Sequence, residues 1–92
     1  MVRIRVKVIV RGIVQGVLFR ASLSDIARRN RVDGWVRNRT DGGVEAVLEG
    51  EQRDVREVIS WAHRGPSRAR VESVSVSKPE MPLGLKGFRI SG

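Results

Sequence analysis

An α+β sandwich is the fold class that this sequence predicts. Three observations lead to it. A period-two apolar pattern opens the chain, two amphipathic helical segments follow, and turn chemistry separates each helix from the next strand-like run. The order reads β-α-β-β-α-β, with a possible fifth strand. Each helix has one apolar face to bury. The simple solution packs both helices on one face of a four- to five-stranded antiparallel sheet, the split-βαβ or ferredoxin-like arrangement.

The elements follow in order. Ile4, Val6, Val8 and Val10 alternate with Arg3, Arg5, Lys7 and Ile9, giving a strand with one apolar and one mostly cationic face. From Phe19 to about Arg31, residues Phe19, Leu23, Ile26, Ala27 and Asn30 recur at spacings of three and four, as on an amphipathic helix. Ser22-x-x-Asp25 has the form of a capping box, which would delay the helix start to about Leu23. Asp33-Gly34 is a turn signal, and Trp35 to Arg39 reads as the second strand. Asp41-Gly42-Gly43 signals a hairpin, and Val44, Ala46 and Leu48 alternate with Glu45 and Glu49 on the return. Glu51 to Arg64 carries Val55, Val58, Ile59 and Ala62 on one helical face, and Gly65-Pro66 stops it. Arg70 to Ser77 is a fourth strand. Lys78 to Gly87 is turn-like, and Phe88-Arg89-Ile90 adds a short last strand.

Length and composition bound the function. The 92 residues make a single domain, 1–92, without repeat or linker. No apolar run approaches the ~20 residues needed to span a bilayer, and the N-terminus lacks a signal-peptide pattern, so a cytoplasmic protein is expected. With no cysteine in the chain, disulfides, thiol catalysis and thiolate–metal sites are excluded. A single histidine, His63, leaves no typical zinc site, and no metal is expected. The net charge of +8 favours anionic partners.

The most informative run is Gly12-Ile13-Val14-Gln15-Gly16-Val17-Leu18-Phe19-Arg20, between a strand and a helix. Such a loop aims several backbone N–H groups at one point, where the positive end of the helix dipole adds to them. Spacing alone leaves two readings open, an anion site or a tight connection whose glycines relieve the backbone. No Gly-Lys-Ser/Thr follows, so the loop is not a Walker A motif. Arg20 favours the anion. It stands at the helix start, where the dipole disfavours a cation, and an anion between the two resolves the conflict. Asn38 closes the second strand. Asparagine is depleted in strands and can simply mark the approach to a turn, or its carboxamide can orient a water molecule.

The run from Gly12 to Arg20 resembles the acylphosphatase signature, glycine-x-valine-glutamine-glycine-valine-x-aromatic-arginine. Gly34-Trp35-Val36-Arg37-Asn38, with Asp41-Gly42 and Val44-Glu45, is similar to the family's second signature, and the spacing between the two also fits. The resemblance extends over nearly the whole chain. It implies the same sandwich fold and hydrolysis of acyl phosphates to a carboxylate and inorganic phosphate. It also implies a phosphate-binding loop made of Val14, Gln15, Gly16, Val17, Leu18 and Phe19, a phosphate clamp at Arg20, a water held by Asn38, and no cofactor. The partners it implies are a small acyl phosphate and inorganic phosphate, for a monomer away from membranes.

Rival readings are weaker. A basic sandwich that presents its sheet to RNA needs stacking aromatics there, and this chain has no tyrosine, two phenylalanines and two tryptophans. Nucleic acid is therefore not the expected partner. Related domains begin large hydrogenase-maturation carbamoyltransferases, but this chain stops at Gly92, so a standalone enzyme is the expectation. His63 reads as a surface residue, Asp41 and Thr40 as turn residues, Trp35 and Trp61 as packing residues, and Glu45 and Glu49 as partners of nearby arginines.

Overall fold

A computed structural model describes residues 2–91. Strand β1 (Arg3–Ile13) leads to helix α1 (Phe19–Arg29), then strands β2 (Asp33–Asn38) and β3 (Val44–Glu51). Helix α2 (Gln52–Ala62) and strands β4 (Arg70–Val76) and β5 (Phe88–Ser91) complete the order. The sheet runs β4-β1-β3-β2-β5. Val6, Val8 and Val10 of β1 and Val44, Ala46 and Leu48 of β3 are buried on one face, with Leu23 and Ala27 of α1 and Val55, Val58 and Ala62 of α2 in the same core. The period-two and period-3.6 patterns thus meet in one apolar layer, and this burial is the main stabilising term.

The sheet is mixed rather than wholly antiparallel. Strand β5 pairs parallel with β2, from Gly34↔Phe88 to Arg37↔Ser91, while the other pairs are antiparallel. The segment between β4 and β5 is the reason. It bridges β1 through Arg5↔Glu80. It then gives three amides to Glu49 of β3 and reaches β2, where Gly34 donates to the Gly87 carbonyl. Having crossed the sheet at one end, the chain enters the far edge in the direction of β2.

Other boundaries shift for local reasons. Helix α1 starts at Phe19, a turn before the Ser22–Asp25 capping box would place it, and no side chain caps it. Its C-terminus closes as a Schellman motif. Arg31 is left-handed (φ 57°), Val32 donates to the Ala27 carbonyl, and Arg31 donates to the Arg28 carbonyl. That motif makes the turn, so Asp33-Gly34 opens β2 instead of preceding it. Gly12 lies inside β1, at a register shift against β4. A Cβ there would sit 2.1 Å from the Arg70 carbonyl oxygen, so this glycine serves strand approach, not the loop.

Candidate active site

The loop between β1 and α1 is built by two left-handed residues. Gly16 has φ 73° with open space where a Cβ would point, and Leu18 has φ 66°. A left-handed leucine is a strained choice, of the kind that gathers at functional sites. These reversals leave the amides of residues 15–21 without an acceptor among the described residues, whereas the Ser22 amide already donates to the Leu18 carbonyl. No acidic residue lies in the first turn of α1. The helix start is therefore an uncapped, electropositive cluster of donors.

Arg20 stands at this cluster and forms no ion pair with a described carboxylate. Its one polar contact among the described residues, Nη1 to the Ser91 carbonyl at 3.5 Å, is too long to commit the guanidinium. Val14, Gly16, Leu18, Phe19, Arg20, Ala21, Asn38 and Ile90 line a cleft of about 270 Å³. The structure thus brings Arg20 and Asn38 together from separate elements. Asn38 Oδ1 is buried and accepts no hydrogen bond from a described residue. A buried acceptor left unpaired costs about 1–3 kcal/mol, so a donor is called for at that point.

The other loop residues divide by direction. Phe19 is buried behind the cleft, its ring tilted against Trp61 with centroids 5.4 Å apart. Val17 packs against the core. The Gln15 side chain turns toward the β2–β3 hairpin, where its Nε2 donates to the carbonyls of Arg39 (2.7 Å) and Gly43 (2.9 Å). Nothing in the residue pattern marked that use. Ile90 was also not foreseen at the cleft, because its place depends on the parallel pairing of β5.

The titratable groups nearby are committed elsewhere. Asp41 accepts from the Gly43 amide and from Arg11 and Arg39, which holds its carboxyl down at about 2. A carboxylate that acidic is a poor proton acceptor. Glu45, on the outer sheet face, is kept ionised first by Lys7 (2.8 Å) and then by Arg37 (2.9 Å), against the penalty of burial. Burial opposes the charge of Glu49 too, but the amides of Leu83, Leu85 and Gly84 outweigh it. Glu49 therefore anchors backbone, contrary to the arginine pairing expected of it. His63 is exposed at the end of α2, with Nδ1 3.0 Å from the Ile59 carbonyl. No cluster that could hold a metal ion occurs among the described residues.

The family model described as acylphosphatase matches residues 6–90. The chain belongs to the acylphosphatase family. A protein from Thermococcus kodakarensis that carries the name acylphosphatase is 52% identical over 92 residues, the full length of both chains. One of the same name from Natronomonas pharaonis is 50% identical over 88 residues, 96% of this chain and 95% of the relative. The crystal structure of acylphosphatase from Bacillus subtilis superposes with a TM-score of 0.93 at 31% identity, covering 97% of this chain and 99% of that one. The acylphosphatase fold therefore extends over nearly all of the sandwich, including the cleft.

Proposed function

We propose that the protein hydrolyses acyl phosphates to a carboxylate and inorganic phosphate, with the phosphoryl group seated on the loop of residues 14–19 and on Arg20. The observation that carries this reading is the set of amides at 15–21 that, among the described residues, donate to no acceptor, beside a guanidinium that has no ion-pair partner there. Such a nest fits the equatorial oxygens of a phosphoryl group, on which charge builds during transfer. The planar guanidinium takes two of those oxygens at once.

Asn38 orients the nucleophile. Its buried Oδ1, unpaired among the described residues, accepts a hydrogen bond from one O–H of a water and turns the oxygen lone pair toward phosphorus. The new P–O bond forms from the water as the bond from phosphorus to the acyl oxygen breaks. The leaving group is a carboxylate whose conjugate acid has a pKa of about 4, so it departs without a general acid. The water's proton passes to a phosphoryl oxygen, since Asp41 is too acidic to take it and His63 stands outside the cleft lining. The acyl group lies along Leu18 and Ile90, exposed apolar side chains of the cleft. Catalysis is then mainly positioning and charge stabilisation.

The test is turnover of benzoyl phosphate by the purified protein, with inorganic phosphate as a competing ligand. Hydrolysis inhibited competitively by phosphate and undiminished by EDTA is expected. A protein that binds nucleic acid with a steep salt slope and leaves benzoyl phosphate intact contradicts the reading.

A further inference from the structure

Within the cleft, the phosphate loop and Asn38 come from separate segments with no covalent reason to stay in register. The phosphate loop follows β1, whereas Asn38 ends β2 at the mouth of a hairpin. Val14, Val17 and Phe19 anchor the loop to the core by apolar packing, but its polar backbone is little tied. Residues 15–17 donate no backbone hydrogen bond to a described residue, and the flanking Leu18 is left-handed. Among the described residues, the one side chain that ties this stretch to the rest of the chain by a hydrogen bond is Gln15. Both of its contacts go to the hairpin, and the carbonyls it engages belong to a closed pair, because Arg39 also donates its amide to the Gly43 carbonyl at 2.8 Å. Arg39 is the residue next to Asn38.

We infer that Gln15 is a positioning residue for the hydrolytic reaction: its carboxamide sets the distance between the phosphate seat and the water held by Asn38. This rests on the acyl phosphate reading above. Two carbonyl acceptors demand two donors from one nitrogen, which a primary amide supplies and a carboxylate or hydroxyl does not. The bonds are partly buried, where a hydrogen bond resists competition from water. A displacement of about 1 Å in a near-attack geometry costs on the order of 100-fold in rate, so a loose loop is felt mainly in kcat. Anion binding is less affected, because the amides and Arg20 travel with the loop.

Gln15→Met keeps the volume of the side chain and removes both donors. The decisive experiment is a double-mutant cycle of Gln15→Met with Asn38→Ala, reading kcat for benzoyl phosphate, the inhibition constant of inorganic phosphate and the melting temperature. Gln15→Met in the otherwise native chain is expected to lower kcat by roughly 10- to 100-fold, with the phosphate constant changed less than kcat. In the Asn38→Ala background, where no held water remains to be aligned, the same change is expected to cost less than about threefold. Gln15→Asn keeps the donors but shortens the reach, and it should give an intermediate kcat. If the Met variant does not fold, the cycle is run with the Asn variant. Equal losses in both backgrounds, or an unchanged kcat, overturn the inference. Absence of turnover by the native chain overturns the underlying function instead.

Discussion

Arg37 grips Glu45 through two nitrogens on a single oxygen, Nε at 3.1 Å and Nη2 at 2.9 Å from Oε1. Glu45 is 1% exposed and also meets Lys7 and Arg39. It therefore fixes both arginines that flank Asn38, from the face of the sheet opposite the helices. Glu45→Ala removes the shared anion and leaves three cations facing one another. Because Lys7 and Arg37 are about half exposed, at 52% each, they can turn to water and relieve part of the cost. A loss of about 1–3 kcal/mol is expected in urea unfolding, below the 3–5 kcal/mol of a fully buried broken pair. Unchanged stability would show that the cluster is idle.

Arg20→Ala should raise the inhibition constant of inorganic phosphate and lower kcat/KM for benzoyl phosphate by about 10²–10³-fold, the usual effect of removing one strong donor from developing charge. Arg20→Lys should recover little, since an ammonium lacks the planar fork. Steady-state kinetics of both variants, with circular dichroism to check folding, decide this. Full activity in Arg20→Ala removes that residue from the site.

Asn38→Ala should separate rate from binding. Loss of the contact to water lowers kcat by about 10²-fold, while KM stays within about threefold, because the phosphate seat is intact. An unchanged kcat would remove Asn38 from the reaction.

Acid should weaken the fold through three carboxylates. Asp41, Glu45 and Glu49 all ionise more readily folded than unfolded, from ordinary values of 3.8, 4.5 and 4.5. A depressed folded value means that the unfolded chain binds more protons, so stability rises with pH across the window. Their contribution is complete above about pH 5 and is lost as pH falls below the ordinary values, that of Asp41 persisting down to about pH 2. Melting temperatures from pH 7 to pH 2 should be flat at first and then fall steadily. In Glu49→Gln, which cannot ionise, that fall should be shallower from a lower starting point.

The order of elements, the apolar layer and the placing of Arg20 beside the loop were legible because each rests on local pattern: period, turn chemistry, a cation against a dipole, whereas Asn38 was joined to the loop only through the resemblance to the family. The parallel edge strand was not legible, because Phe88 to Ser91 is too short to carry a period and its direction is set by the crossing segment. The capping box misled for a related reason. Ser22 and Asp25 would cap a helix whose first amides need acceptors, and here those amides stay open. Glu49 looks like an arginine partner, but three amides 34 to 36 residues downstream reach it first. The use of the Gln15 side chain depends on a hairpin that no sequence window around it contains.

The central claim is that main-chain amides at the start of α1, together with Arg20, seat a phosphate. Titration of the ¹⁵N-labelled protein with inorganic phosphate, followed amide by amide, tests it most directly. Saturable shifts concentrated at residues 15–21, with a response from the Asn38 carboxamide, are the expected result. Shifts spread over the arginines of the helix surfaces, with the loop amides unmoved, would contradict it.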